Sequence, residues 1–286
     1  MVQVNNLLGN KNIKTLEQKG CFAVLEHQDD MSLDPYEAMQ AYFMSKMNVK
    51  RRRVLCALNN SGVRVQAGAM QWMSGSIEMD ANIGGVGGFI GKAIGSKVTG
   101  ETAVKPVYRG SGYLMLEPTF KYLLLEDVGS WGQGLVLDDG LFLGCEEQVQ
   151  ERVVGRQNFS SAILGGKGLF NLMLSGYGMC VLESPVPREE LIEFVLDNDQ
   201  VKIDGNMAIA WSGSLQFTVE KASRSILGSY MSNEGFVNVY RGSGKILMAP
   251  TISASSVVNP SMSQTGAATQ TAAQSVMGAV KNSIKL

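Results

Sequence analysis

Over most of the chain, apolar and polar positions alternate in short stretches, the period of half-buried β-strands. In the stretch from Val201 to Ser212, Val201 and Ile203 oppose Lys202 and Asp204, an Asp-Gly pair marks a turn, and a second apolar run carries Trp211. The same layout occupies Val63 to Ser74, 138 positions earlier, and Leu135 to Glu146, 72 after the first and 66 before the third. A downstream element repeats as well. Val107-Tyr-Arg-Gly-Ser-Gly-Tyr-Leu-Met-Leu-Glu-Pro-Thr119 recurs as Val239-Tyr-Arg-Gly-Ser-Gly-Lys-Ile-Leu-Met-Ala-Pro-Thr251, with Met173 to Pro185 between them, and the first glycines Gly110, Gly176 and Gly242 stand 66 and 66 apart. A fixed period of this length marks tandem units. The copies span residues 49–118, 119–184 and 185–252; copy one holds six more residues (72 minus 66), placed around Gly84 to Gly100.

These patterns predict an all-β fold of tandem repeated antiparallel β-sandwich units, double-stranded β-helix-like, with four to six strands in each. Cores this small must pack on one another and share an interior. The G-x-G element between apolar runs suits either a turn at positive φ or a close backbone crossing between strands.

Residues 1–48 precede the repeats. Cys21 to Leu25 reads as a strand. Asp34, Pro35 and Glu37 are the N-cap, first-position and first-turn signals of a short helix running to about Met47. Its stripe of Met39, Tyr42, Phe43 and Met47 is expected to pack on the sandwich core, the alternative being a methionine-rich surface for a partner. Residues 253–286 are rich in Ser, Ala, Thr and Gln and read as a polar tail, disordered or weakly helical through Ala273, Val276, Met277, Val280 and Ile284.

Composition narrows the function. A net charge of −1 provides no global field to recruit nucleic acid, and Lys50-Arg-Arg-Arg53, the one dense basic run, has no RNA-binding aromatic motif beside it. Half of that run is expected to face solvent and half to line a groove or interface. No run approaches the ~18 apolar residues of a membrane span, and the opening residues have no signal-peptide pattern, so the cytoplasm is the expected compartment. Cys21, Cys56, Cys145 and Cys180 form no C-x-x-C pair and read as buried free thiols. The single histidine, His27, leaves a Ser or Cys nucleophile without its usual base and offers no histidine-rich metal site; neither cofactor nor metal is expected. Asp138, Asp139, Glu146 and Glu147 cluster at turns and need no catalytic role. In the 84–100 loop, Val86 stands where a Walker loop needs its first glycine, and Ala93 where it needs Ser or Thr. The loop reads as flexible; alternatively Val86, Phe89, Ile90, Ala93 and Ile94, with Lys92, form an apolar tip for a membrane surface or a neighbouring subunit.

The loop ending Gly100-Glu101, the run Leu141 to Glu146, Gly165 to Phe170, and Val201 to Gly205 with Trp211 resemble the altered-inheritance-of-mitochondria family over roughly residues 50 to 250. The resemblance implies a β arrangement similar to the tryptophan-RNA-binding attenuation protein and usually homo-oligomeric, membrane-organising roles for mitochondrial members, and no catalytic residues to carry over. The chain departs from the family's Gly-Glu-Gly element at Gly166-Lys167-Gly168 and Asn233-Glu234-Gly235. The leading expectation is a non-catalytic scaffold or binding protein that assembles with itself, a trimer being geometrically easy, with a membrane surface or another protein as further partner. The runner-up is a regulator binding a small molecule, lipid or RNA, cued by Arg109 and Arg241 in matching Tyr-Arg-Gly-Ser-Gly elements; the plainer reading is that these arginines brace their turns or pair with acids. Any site should lie where the repeat symmetry breaks.

Overall fold

Strands form at the spacings of the repeat. The computed structural model describes residues 2–80, 105–155, 170–204, 207–221 and 236–251. An N-terminal hairpin of β1 (Ile13–Lys19) and β2 (Phe22–His27) is followed by α1 (Pro35–Lys46). The first copy supplies β3 (Arg52–Val65), β4 (Met70–Gly75), β5 (Glu78–Asp80) and β6 (Val107–Leu116). The second supplies β7 (Tyr122–Asp127), β8 (Leu135–Leu137), β9 (Phe142–Glu146), β10 (Gln150–Gly155), β11 (Phe170–Ser175) and β12 (Met179–Ser184). The third supplies β13 (Ile192–Asp204), β14 (Ala208–Ser212), β15 (Gln216–Lys221) and β16 (Phe236–Met248). Strands β4, β9 and β14 begin at 70, 142 and 208, and β5, β10 and β15 at 78, 150 and 216, repeating the steps of 72 and 66.

All pairings are antiparallel and make two curled sheets. The first runs β1-β2-β3-β9-β12-β7, with β6 also on β3 and β4 and β5 on β6; the second runs β10-β11-β8-β14-β16-β13, with β15 on β16. The middle copy therefore does not close on itself. It sends β7, β9 and β12 to the first sheet and β8, β10 and β11 to the second. Alternation along these strands fills two cores at once, because successive side chains leave opposite faces. Leu124, Cys145, Cys180 and Leu182 from the first sheet meet Leu135, Leu137, Leu172, Leu174 and Leu247 from the second in a shared core. Their neighbours Leu123, Leu125, Leu143 and Val181 turn the other way, into the curl of the first sheet, where Phe22, Val54 and Leu114 lie. Val136, Met173 and Trp211 likewise fill the curl of the second sheet with Tyr240 and Ile246. Burial on both faces is why Leu123 to Leu125 and Leu141 to Leu143 read as continuous apolar runs.

The long strands bend at matched bulges. Pairing of β3 with β6 shifts between Leu58 and Ser61, and pairing of β13 with β16 between Leu196 and Asp199. Asn60 and Asn198, 138 apart, sit there at φ 48° and 51°. The Asn60 amide donates to Ser111 Oγ at 2.9 Å and the Asn198 amide to Ser243 Oγ at 2.8 Å, so the serine of each Gly-Ser-Gly element satisfies a donor that the bulge leaves unpaired. Both anticipated uses of the glycine pair occur. In copy one the strand passes straight through, and Gly110 lies so close to the β4–β5 link that a Cβ would stand 2.1 Å from Ser76 O. In copy two Gly176 and Gly178 form the turn that carries the chain from β11 in the second sheet to β12 in the first.

Candidate functional site

The N-terminal helix and the cleft beneath it are the strongest departure from the repeat. Helix α1 starts as its sequence requires: Asp34 Oδ1 accepts from the amides of Tyr36 and Glu37 at 2.8 and 2.9 Å, and the Asp34 amide donates to Glu37 Oε2 at 3.4 Å. It ends at Asn48, whose φ of 60° turns the chain so that the Val49 amide donates to Met44 O at 2.9 Å. No residue of α1 is buried. The expected packing of its stripe on the core is thus overturned. Met39, Tyr42, Phe43 and Met47 are 69%, 57%, 63% and 76% exposed, Tyr42 at the edge of the cleft, and Tyr36, which extends the outer side of the stripe, is 92% exposed. The physical reason is the opposite face. Ala38, Ala41, Met44 and Ser45 line a cleft of about 430 Å³ together with His27, Leu33, Val49 and Phe120, so this side of the helix meets the cleft and not a packed sheet face.

Charges around the cleft are largely engaged. Arg51 pairs with Asp30 and lies over the Phe120 ring, 5.2 Å from its centre. His27 Nε2 is buried without a hydrogen-bond partner. Burial, then the guanidinium of Arg53, holds the imidazole below its ordinary pKa of 6.5, with Asp30 opposing and Arg51 adding to the depression. The basic run divides by strand alternation. Arg52 points inward, 2% exposed, with Nη2 2.8 Å from Glu26 Oε2, further bonds to Asn48, and its guanidinium 4.3 Å from the centre of the Tyr122 ring. Lys50 reaches Glu26 and Gln28 on the same side, while Arg53 donates to Gln71.

The other candidates are dispersed. Phe89, Ile90 and Lys92 lie outside the described residues. Arg109, on β6 of the first sheet, spans Asp80 at 2.9 Å and Glu147 at 2.6 Å; Arg241, on β16 of the second, reaches Glu220 at 2.7 Å and Thr218 at 3.0 Å. Each guanidinium is matched to acceptors beside it while its side chain stays partly exposed, at 47% for Arg109 and 34% for Arg241, and the fold puts them in different sheets. All four cysteines are free thiols. Burial pushes Cys21 and Cys145 up to about 12, with Glu146 and Glu151 adding to the shift, and raises Cys56 and Cys180 as well. No group of three or more His, Cys, Asp or Glu among the described residues is placed to hold a metal ion. The serine–asparagine locks at the bulges escaped the sequence reading, although Asn60 and Asn198 obey the 138 spacing and Ser111 and Ser243 stand 132 apart, the distance between Gly110 and Gly242.

Comparison with known proteins agrees with this architecture. The family described as mitochondrial biogenesis AIM24 matches residues 48–251. The chain belongs to the AIM24 family. The AIM24 match begins at Asn48, just past α1, so the hairpin and the helix lie outside it. The chain is 28% identical over 196 residues to the uncharacterized protein M6_Spy0233 of Streptococcus pyogenes serotype M6, covering 66% of this chain and 76% of that one. Its fold is similar to the crystal structure of protein SPYM3_0169 from Streptococcus pyogenes, with a TM-score of 0.54 and 23% identity over 74% of this chain and 93% of that one. No helix among the described residues is long and apolar enough to cross a membrane.

Proposed function

We propose that this AIM24-family chain is a non-catalytic scaffold that works by associating with a second copy of itself through α1. The outward stripe of Tyr36, Met39, Phe43 and Met47 carries the reading. A helix of 12 residues that buries nothing is marginal in water, where isolated helices shorter than about 12–15 residues are barely stable. The stripe itself carries no charged side chain, so two copies can meet antiparallel about a two-fold axis without burying a charge. The rest of the chemistry supports a structural role: the thiols are held protonated, and the one imidazole has no nucleophile bonded to it.

The test is sedimentation velocity with light scattering at micromolar concentration, comparing the wild type with Met39→Glu/Phe43→Glu. Assembly of the wild type and dissociation of the variant at an unchanged melting temperature are expected, since both side chains are exposed. A wild-type monomer overturns the proposal. An oligomer indifferent to the substitutions moves the contact away from α1.

A further inference from the structure

The second sheet carries a cleft of a different kind. Among the described strands β10 pairs only with β11 and β15 only with β16, and the curl of the sheet brings these two edges to either side of a cleft of about 320 Å³. Its floor is Val136, Met173 and Trp211; the Phe217 ring stacks on Trp211 with centres 5.6 Å apart. Arg152, from β10, is the one charged residue among the described residues that line it.

Arg152 is unusually placed. Its Nε and Nη2 lie 3.3 and 3.2 Å from Met173 Sδ. A thioether is a weak acceptor, and a guanidinium has five N–H donors. By contrast Arg51, Arg52, Arg64, Arg109, Arg188 and Arg241 each have a carboxylate partner, and Arg53 has the Gln71 oxygen. The repeat explains why Arg152 differs. Counting 72 back and 66 forward, its position is held by Asp80 in copy one and Thr218 in copy three, which receive Arg109 and Arg241. In copy two the residue 66 after Arg109 is Ser175, so the charge has crossed to the other strand, where no acid among the described residues meets it. The Met173 methyl occupies space that two glycines leave open, since a Cβ on Gly134 or on Gly213 would stand 2.4 Å from its Cε.

We propose that this cleft binds a small carboxylate carried on a flat apolar body. Arg152 would grip the carboxylate with two parallel N–H···O bonds, the geometry that its fork favours. Phe217, stacked on Trp211, offers an aromatic face to the body, with the polar Ser214 and Gln216 at the rim, and the volume, at the low end of the ~300–1,000 Å³ usual for small-molecule sites, admits a single-ring acid. The site is independent of α1.

Isothermal titration of the full chain tests this with phenylacetate as the probe, acetate as the anion without a ring, and phenethylamine as the ring with the opposite charge. Saturable binding of one phenylacetate per chain is expected, at least about tenfold tighter than acetate or phenethylamine and weakened at least about tenfold in Arg152→Met. Arg152→Lys, which keeps the charge but loses the fork, should fall between them, and Arg241→Gln should bind as the wild type does. Thermal melts establish that each variant is folded. Absence of saturable phenylacetate binding at roughly millimolar concentration overturns the proposal. So does undiminished binding by Arg152→Met, a loss in Arg241→Gln as large as that in Arg152→Met, or binding of acetate or phenethylamine as tight as that of phenylacetate.

Discussion

Gly110 and Gly176 occupy the same repeat position, 66 residues apart, yet adding one methyl group to each should have very different costs. Gly110 sits at φ +137°, and an alanine Cβ there would lie 2.1 Å from Ser76 O, 2.9 Å from its carbonyl carbon and 3.0 Å from Ile77 Cα. Those atoms are backbone of the β4–β5 link, whose Ser76 amide donates to Ser111 O at 2.9 Å, so they cannot swing aside. Backbone strain of about 1–3 kcal/mol at a φ that only glycine adopts readily adds to overpacking of about 1–3 kcal/mol, or roughly 4 kcal/mol in all. Gly176, at φ +88°, would bring its Cβ no nearer than 3.9 Å to Gln148 O. There only the left-handed conformation is penalised, by about 1–2 kcal/mol. Urea unfolding followed by circular dichroism measures both. Gly110→Ala should lower stability by roughly 2–3 kcal/mol more than Gly176→Ala, a difference of about 4–12 °C in melting temperature for a chain of this size. Equal losses, or a larger loss at Gly176, would refute the reading of the first glycine pair as a crossing and the second as a turn.

Two further outcomes follow from buried polar groups. Arg52→Met takes from buried Glu26 its 2.8 Å partner and leaves it Lys50 at 3.8 Å, and should cost about 3 kcal/mol in the same urea assay, whereas Arg52→Met/Glu26→Leu should recover most of that loss; a double variant as unstable as the single one counts against the ion pair. The raised thiols make stability fall at alkaline pH: an unfolded chain releases these protons near pH 9 while folded Cys21 and Cys145 hold theirs to about 12, so unfolding gains a proton-release advantage across that window. Urea midpoints should therefore drop between about pH 8 and about pH 10, and less so in Cys21→Ser/Cys145→Ala; a decline unchanged in that variant assigns it to other groups.

What the sequence makes readable is whatever obeys the repeat. Strand position follows from period and spacing, because every copy repeats the same alternation and the same turn. Even the surplus in copy one can be read back from the fold: Asn60 and Ser111 are 51 apart, Asn198 and Ser243 are 45 apart, and the difference is the six residues added between the two elements. Partition of copy two between two sheets is not readable in this way, since its strands alternate as the others do and only the tertiary curl decides which face meets which core. The direction of α1 is hidden for a similar reason. Spacing shows that Met39, Tyr42, Phe43 and Met47 lie along one side, but not that the side turned to the cleft is the one with Ala38, Ala41, Met44 and Ser45. Arg152 combines both difficulties, and it also sharpens the expectation that function lies where symmetry fails. Arg109 and Arg241 are conspicuous in sequence because they repeat, and each is matched by a partner that its own copy provides. Arg152 is inconspicuous because it does not repeat, and among the described residues it meets only the Met173 thioether and no carboxylate. Among repeated units, a charge that breaks the pattern has the weakest structural explanation, and so the strongest claim on a ligand.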